Sequence, residues 1–189
     1  MATNFIGVSR IQNLGNGLLH KVNKIFARRC WLYIAKGKLM QADIPNDLAS
    51  LKALYTGNNA PFIQFGRMDS SGTNVKSTPI TQEIDHGDIV KGHNIALTMV
   101  SITVSAESLT FADELNNDEY TILCVPDEAE NIFLAINGIN LLPETEIPIV
   151  DGDNTAKINY KGNRKANKIT DVILFKEFPD TNREHFEQD

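Results

Sequence analysis

Long apolar runs are missing from this 189-residue chain: polar residues break every candidate well short of the roughly 20 positions that a membrane-spanning helix requires. No membrane association is therefore expected. Near the start, Asn4, Ser9, Arg10 and Asn13 interrupt any apolar core of a secretory signal, so export is not expected either. Cysteine is scarce. Cys30 and Cys124 both sit in apolar runs, which fits two small buried hydrophobes in a reducing compartment better than a disulfide framework. Signatures of chemistry are missing too: there is no Gly-x-Ser-x-Gly elbow, and neither glycine-rich phosphate loop, Gly-x-x-x-x-Gly-Lys-Ser/Thr or Gly-x-Gly-x-x-Gly, occurs. These absences point to a non-enzymatic protein without a cofactor.

Charge of one sign is absent from two long stretches. The formal net charge is -6, yet no acid precedes Asp43, so residues 1–42 carry +7 from Arg10, Lys21, Lys24, Arg28, Arg29, Lys36 and Lys38. Residues 92–156 hold twelve acids and no Lys or Arg, although 18 cations in 189 residues would place about six there. A gap of that size indicates selection for a negative field. Positive charge returns at once with Lys157, Lys161, Arg164, Lys165 and Lys168, which the pattern places on one hairpin.

Periodicity supplies the elements. Ile11, Leu14, Leu18, Val22 and Ile25 recur at spacings of three and four, predicting a basic amphipathic helix over 9–29 with Arg10, Lys21, Lys24 and Arg28 on its flank. CWLYIA (30–35) reads as a strand followed by a Lys-Gly-Lys turn. Asn46 is the expected cap of a short helix whose stripe is Leu48, Leu51, Leu54 and Tyr55, ended by Gly57. PFIQFGRM (61–68) reads as a strand, 69–79 as a polar loop, and 80–90 and 94–106 as strands. Ser108 is the expected cap of a second short helix over 108–117. Strands then recur at 8–12-residue spacing to residue 178, with Pro126 and Pro148 confined to strand ends or edges.

The expected fold is α+β and mainly β: an antiparallel two-sheet sandwich or split barrel, with the N-terminal amphipathic helix and two short flanking helices. Residues 1–42 form a basic arm and first strand, 43–178 the β-rich core, and 179–189 a polar tail.

Two clusters resemble metal sites. Asp85, His86, Asp88 and His93 offer two imidazoles and two carboxylates, the basis for an alternative as a soluble metal-dependent enzyme. A zinc site, however, draws three or four ligands from separate elements, and a glycine flanked by acids is turn composition. Asp151-Gly152-Asp153-Asn154-Thr155 begins like a calcium loop, but Ala156 stands where the sharp-turn glycine belongs and Gly162 where the bidentate glutamate belongs. Both stretches are better read as hairpin turns, with no metal ligands assigned.

What remains is surface charge. The candidate basic interface comprises Arg10, Lys21, Lys24, Arg28, Arg29, Lys161, Arg164, Lys165 and Lys168. The candidate acidic surface, or lumen, comprises Asp113, Glu114, Asp118, Glu119, Asp127, Glu128 and Glu130. Opposite charges on one molecule allow copies to associate head to tail, and such contacts close into rings or continue into tubes.

The run NIALTMVSITVSA, the helix SLTFADELNN and the ending DGDNTAKINYKGNRKANKITDVILFKEF resemble tail-tube and ring subunits of tailed-bacteriophage virions over roughly residues 60–178. The resemblance implies a β-sandwich or split barrel, assembled into rings, with extended segments reaching neighbouring subunits and an acidic lumen through which DNA slides as non-specific cargo. It further implies contacts with other virion proteins, synthesis in the bacterial host cytoplasm and a final location in the virion. The basic N-terminal helix departs from that pattern, which leaves a head-to-tail connector ring or a capsid-decorating protein as alternative positions.

Overall fold

CWLYIA forms a strand, as its aromatic and β-branched content favours: β1 spans Cys30–Lys36 and buries Leu32 and Ile34. The turn after it is made by Gly37 at φ 96°. The computed structural model describes residues 30–68, 72–85, 87–115, 118–126, 131–149 and 156–178. Within them follow β2 (Ile63–Arg67), β3 (Asn74–Ile84), β4 (Gly87–Ser101), β5 (Glu119–Pro126), β6 (Ile132–Glu146), β7 (Lys157–Ala166) and β8 (Ile173–Glu177). Two short helices, α1 (Leu48–Ala53) and α2 (Ala106–Glu114), join them, with 3-10 turns at Gln41–Asp43 and Ile169–Asp171. The chain is mainly β with few helices. The expected helix over 9–29 and the tail 179–189 lie outside the described residues.

Several boundaries differ from expectation for identifiable reasons. The first helix is capped by Asp47 rather than Asn46, because the Asp47 carboxylate accepts from Ser50 N at 2.8 Å. The second starts earlier, since Ser105 is its cap and Ser108 its third residue; Ser108 N donates to Ser105 Oγ at 3.2 Å, and Ser105 N donates to Ser108 Oγ at 2.7 Å. Residues 74–79, expected in a polar loop, are strand: pairing with β4 overrides their turn composition. The turn expected at Asp85 is present, since Ile84 pairs with Gly87 across a two-residue connection and Gly87 stands at φ 119°. Pro126 ends β5 as expected. Pro79 and Pro143 lie inside strands, Pro79 on edge strand β3 and Pro143 in the part of β6 that pairs only with β7.

All eight strands belong to one antiparallel sheet in the order β2-β1-β5-β6-β7-β4-β3, with β8 also on β6. Among the described residues the two layers of a sandwich are therefore not separate hydrogen-bonded sheets. Strand β6 is the spine. Its first half pairs with β5 on one side and with β8 (Ile132–Ile136) on the other; its second half pairs with β7 (Asn140–Glu146).

On the side shared by β8 and β7, residues 137–139 have no strand beside them, and there Gly138 adopts φ 61°. The polar groups exposed by this kink are satisfied in other ways. Asn137 N donates to Val172 O at 2.7 Å, and Arg164 Nη1 donates to the carbonyls of Asn137 (2.8 Å) and Gly138 (2.7 Å). The Asn137 side chain, 3% exposed, accepts from Leu39 N at 2.8 Å and donates to Leu39 O at 3.1 Å. The Thr121 hydroxyl has one proton to share between Gly37 O (2.8 Å) and Asn137 Oδ1 (3.0 Å). Unmet buried polar groups cost about 1–3 kcal/mol each, so the kink persists only with this set in place.

The kink also shifts the side-chain alternation. Ile136, Ile139 and Leu141 all reach the same cluster, with Ile95, Leu97, Met99, Ile158, Tyr160, Ile122, Leu32 and α2's Ala112. On the other face, Phe133 and Ala135 join Leu123, Val125, Phe62, Phe178 and α1's Leu51. Strands β1 and β5 and the first half of β6 are thus covered on both faces, whereas β7 and β4 bury one face only. The sheet is also strongly coiled. Phe65 of β2 and Tyr160 of β7 lie four places apart in strand order, about 19 Å in a flat sheet, yet their ring centroids are 4.8 Å apart. Phe111 of α2 packs on both rings, at 5.3 and 6.5 Å.

Replacing Arg164 with Met should lower stability by about 2 kcal/mol, because two charge-assisted bonds to carbonyls are lost while the stem is kept. Gly138→Ala should cost about as much, since the left-handed backbone resists a side chain and the new methyl would collide with the Arg164 guanidinium. Urea unfolding checks both. The double variant should fall short of the sum, because both changes act through one contact; an unchanged midpoint for Arg164→Met would refute the role of the arginine.

Candidate interaction surfaces

The β7 sequence KINYKGNRKA alternates strictly. Ile158 and Tyr160 face the core, so Lys157, Asn159, Lys161, Asn163 and Lys165 line the opposite, solvent face, while Arg164 turns inward. The expected basic hairpin is thus one strand held between β6 and β4, with Lys168 beyond its end. Much of its charge is balanced within the chain. Lys157 pairs with Glu146, directly opposite it, at 2.9 Å, and Lys161 donates to Glu144. That contact lowers the Glu144 pKa, through the hydrogen bond first and the charge second. Arg164 is a fold residue whose guanidinium serves the kink. Lys165 and Lys168 are exposed, and Lys168 N donates to Asp171 Oδ2 at 3.2 Å. Arg10, Lys21, Lys24, Arg28 and Arg29 lie outside the described residues.

The acidic candidates gather in part. Asp113 and Glu114 are exposed at the end of α2, with Asp118 and Glu119 close behind at the start of β5. Asp118 pairs with Lys36 at 2.7 Å, raising the lysine's pKa through that bond, and Gly37 N donates to Glu119 O at 2.6 Å. The Tyr120 hydroxyl is pushed up chiefly by burial and then by Asp118. Asp127, Glu128 and Glu130 lie outside the described residues.

The strand geometry does not bring the histidine cluster together. Asp85 is in the turn, Asp88 pairs with Glu83 and His93 pairs with Pro79, so Asp88 and His93 are about 17 Å apart along β4. His93 Nδ1 lies 3.3 Å from Ser77 Oγ. Among the described residues no three His, Cys, Asp or Glu converge on a point; His86 and 151–155 lie outside them.

Two features were not anticipated from sequence. One is an open groove of about 380 Å³ beside the kink, lined by Lys38, Met40, Asn137, Arg164, Lys165 and Asp171 among others. The other is the β3–β4 hairpin. Ten of eleven β3 residues are exposed, and so are the first five of β4. Gln82 pairs with Ile89, Ile84 with Gly87 and Ile80 with Gly92, which sets Ile80, Ile84 and Ile89 on one face. That face is opposite to the core-facing Ile95 and Leu97, and its isoleucines are 37%, 43% and 36% exposed. The signal was available in the isoleucine spacing, but it needed the register, including the bulge at Ile80/Thr81, to be read.

Neither Cys30 nor Cys124 is in a disulfide. Cys124 packs against the core, where burial, with Cys30 adding to it, pushes its thiol up to about 12. No protein-family model and no curated protein matches the chain.

At pH 8 the native Cys124 thiolate fraction is about one part in ten thousand, so the residue should resist iodoacetamide until urea unfolds the chain, as peptide mass spectrometry will read. The folded thiol holds its proton above the pH at which the unfolded thiol releases it. Its contribution to stability is therefore full below about pH 9 and falls as pH rises toward 12. Rapid native alkylation would contradict this.

Proposed function

We propose that the chain is a structural subunit of a tailed-phage virion, assembling into rings or a tube that forms part of the DNA conduit. The observation that carries this reading is the β3–β4 hairpin. A two-stranded ribbon exposed on both faces is marginal in water, and one that also presents three isoleucines fits a segment that is completed by a neighbour. The coiling of the single sheet around Phe65, Phe111 and Tyr160 supports a split barrel as the architecture of such a subunit. The mixed charged faces support contacts with other virion proteins and a conduit through which DNA passes without specific binding. Within this reading the protein is made in the host cytoplasm, acts in the virion and performs no catalysis.

Magnitudes shape the mode of assembly. Full burial of an isoleucine contributes about 1.5–3 kcal/mol, so covering the exposed third of three such side chains yields about 2 kcal/mol. Association costs at least about 4 kcal/mol in lost freedom. The patch alone does not hold a dimer. It serves where hydrogen bonds to the open β3 edge add to it, or where each subunit in a ring makes two contacts and closure adds their effects.

Negative-stain micrographs of the purified full chain should show rings or tubes, and sedimentation should show cooperative, concentration-dependent assembly. Ile84→Asp with Ile89→Asp should leave a folded monomer with unchanged circular dichroism. A wild-type chain that stays monomeric at all concentrations would overturn the proposal, as would normal particles from the variant.

A further inference from the structure

Once the partnered charges are set aside, the groove beside the kink and the acidic corner after α2 are complementary. Lys36, Lys157 and Lys161 each meet a carboxylate of their own subunit, and Lys176 Nζ donates to Pro45 O at 2.9 Å. Lys38 and Lys165, at the groove, have no such partner among the described residues. Lys38 lays its stem over Gly138, next to the Arg164 guanidinium, and Lys165 stands exposed near the end of β7. The carboxylate lining the groove, Asp171, already accepts from Lys168 N. Lys38, Arg164 and Lys165 against Asp171 leave the groove at +2. Arg164 is held by its two carbonyls, so the two lysines are the cations able to reach outward.

The acidic corner is the converse. Asp118 is neutralised by Lys36, whereas the carboxylates of Asp113, Glu114 and Glu119 meet no cation among the described residues. The corner is fixed to its own subunit by the Lys36–Asp118 pair and the Gly37–Glu119 backbone bond, and from there its carboxylates make no ion pair with Lys38 or Lys165. Among the described residues neither patch is neutralised by its own chain, and the two carry opposite charge.

We propose that the groove formed by Lys38, Arg164 and Lys165 receives the Asp113–Glu114–Glu119 corner of a second copy of this chain. The inference rests on the assembly reading above and adds to it a specific, charge-steered contact separate from the hairpin. Opposite patches of this kind set orientation and the rate of encounter more than they add affinity, and salt screens them.

A charge swap in the full chain tests it, read by sedimentation at low and high salt. Lys38→Glu with Lys165→Glu should weaken association at least tenfold at low salt, and Asp113→Lys with Glu114→Lys should do the same. Combining all four should restore association to within about threefold of wild type. Arg164 stays intact throughout so that the kink is preserved. If either charge-reversed chain loses its circular dichroism signal, Lys38→Met with Lys165→Met takes its place and should weaken association and flatten its salt dependence. Wild-type association from the groove variants, or no recovery in the fourfold variant, would overturn the contact while leaving hairpin-dependent assembly in place. A monomeric wild type would overturn both.

Discussion

The hydrogen bonds around Asn137 and Gly138 are the constraint on which the rest of this structure depends. A fifteen-residue strand cannot keep one partner along its whole length in a sheet this strongly coiled, so β6 exchanges β8 for β7 midway and leaves three residues with no strand beside them on that side. Backbone groups so exposed in a core cost more than the packing around them returns unless each is met. Arg164 from β7 and Val172 from the turn before β8 meet them, while the Asn137 side chain bonds to Thr121 from β5 and Leu39 from the segment after β1, which ties four distant stretches of chain to one point.

The rest follows from that exchange. The strand is buried on both faces before the kink and on one face after it, so β7, β4 and β3 present an open outer surface. The lysine and asparagine stripe lies on that surface, and the hairpin projects from the same half of the sheet. The groove beside the kink has Asn137 and Arg164 in its lining, so the device that allows the bend also shapes a cationic recess. One packing solution therefore sets both the stiffness of the core and the character of the exposed half.

Local pattern made much of this legible. Strand β1, the leucine stripe of α1, the end of β5 at Pro126 and the turn at Asp85 follow from alternation, spacing and turn chemistry, which act within a few residues. What sequence concealed is what depends on distant partners. Nothing in NRKAN says that Arg164 turns inward to hold carbonyls 26 and 27 residues away while Lys165 faces water. In the same way, Asn74–Pro79 reads as loop by composition and becomes strand because β4 is there to pair with it. Lysines grouped by their order in the chain proved to differ in state: Lys161 is balanced by Glu144, and Lys165 is not.

Pro79 sits near the middle of the outermost strand, where it is tolerated because its missing donor is not needed by the ladder to β4. It therefore interrupts the row of donors that an approaching strand would use, dividing the exposed edge into two short runs. Neither run is long enough to template indefinite strand addition. The exposed edge of the sheet thus carries its own safeguard against fibril growth.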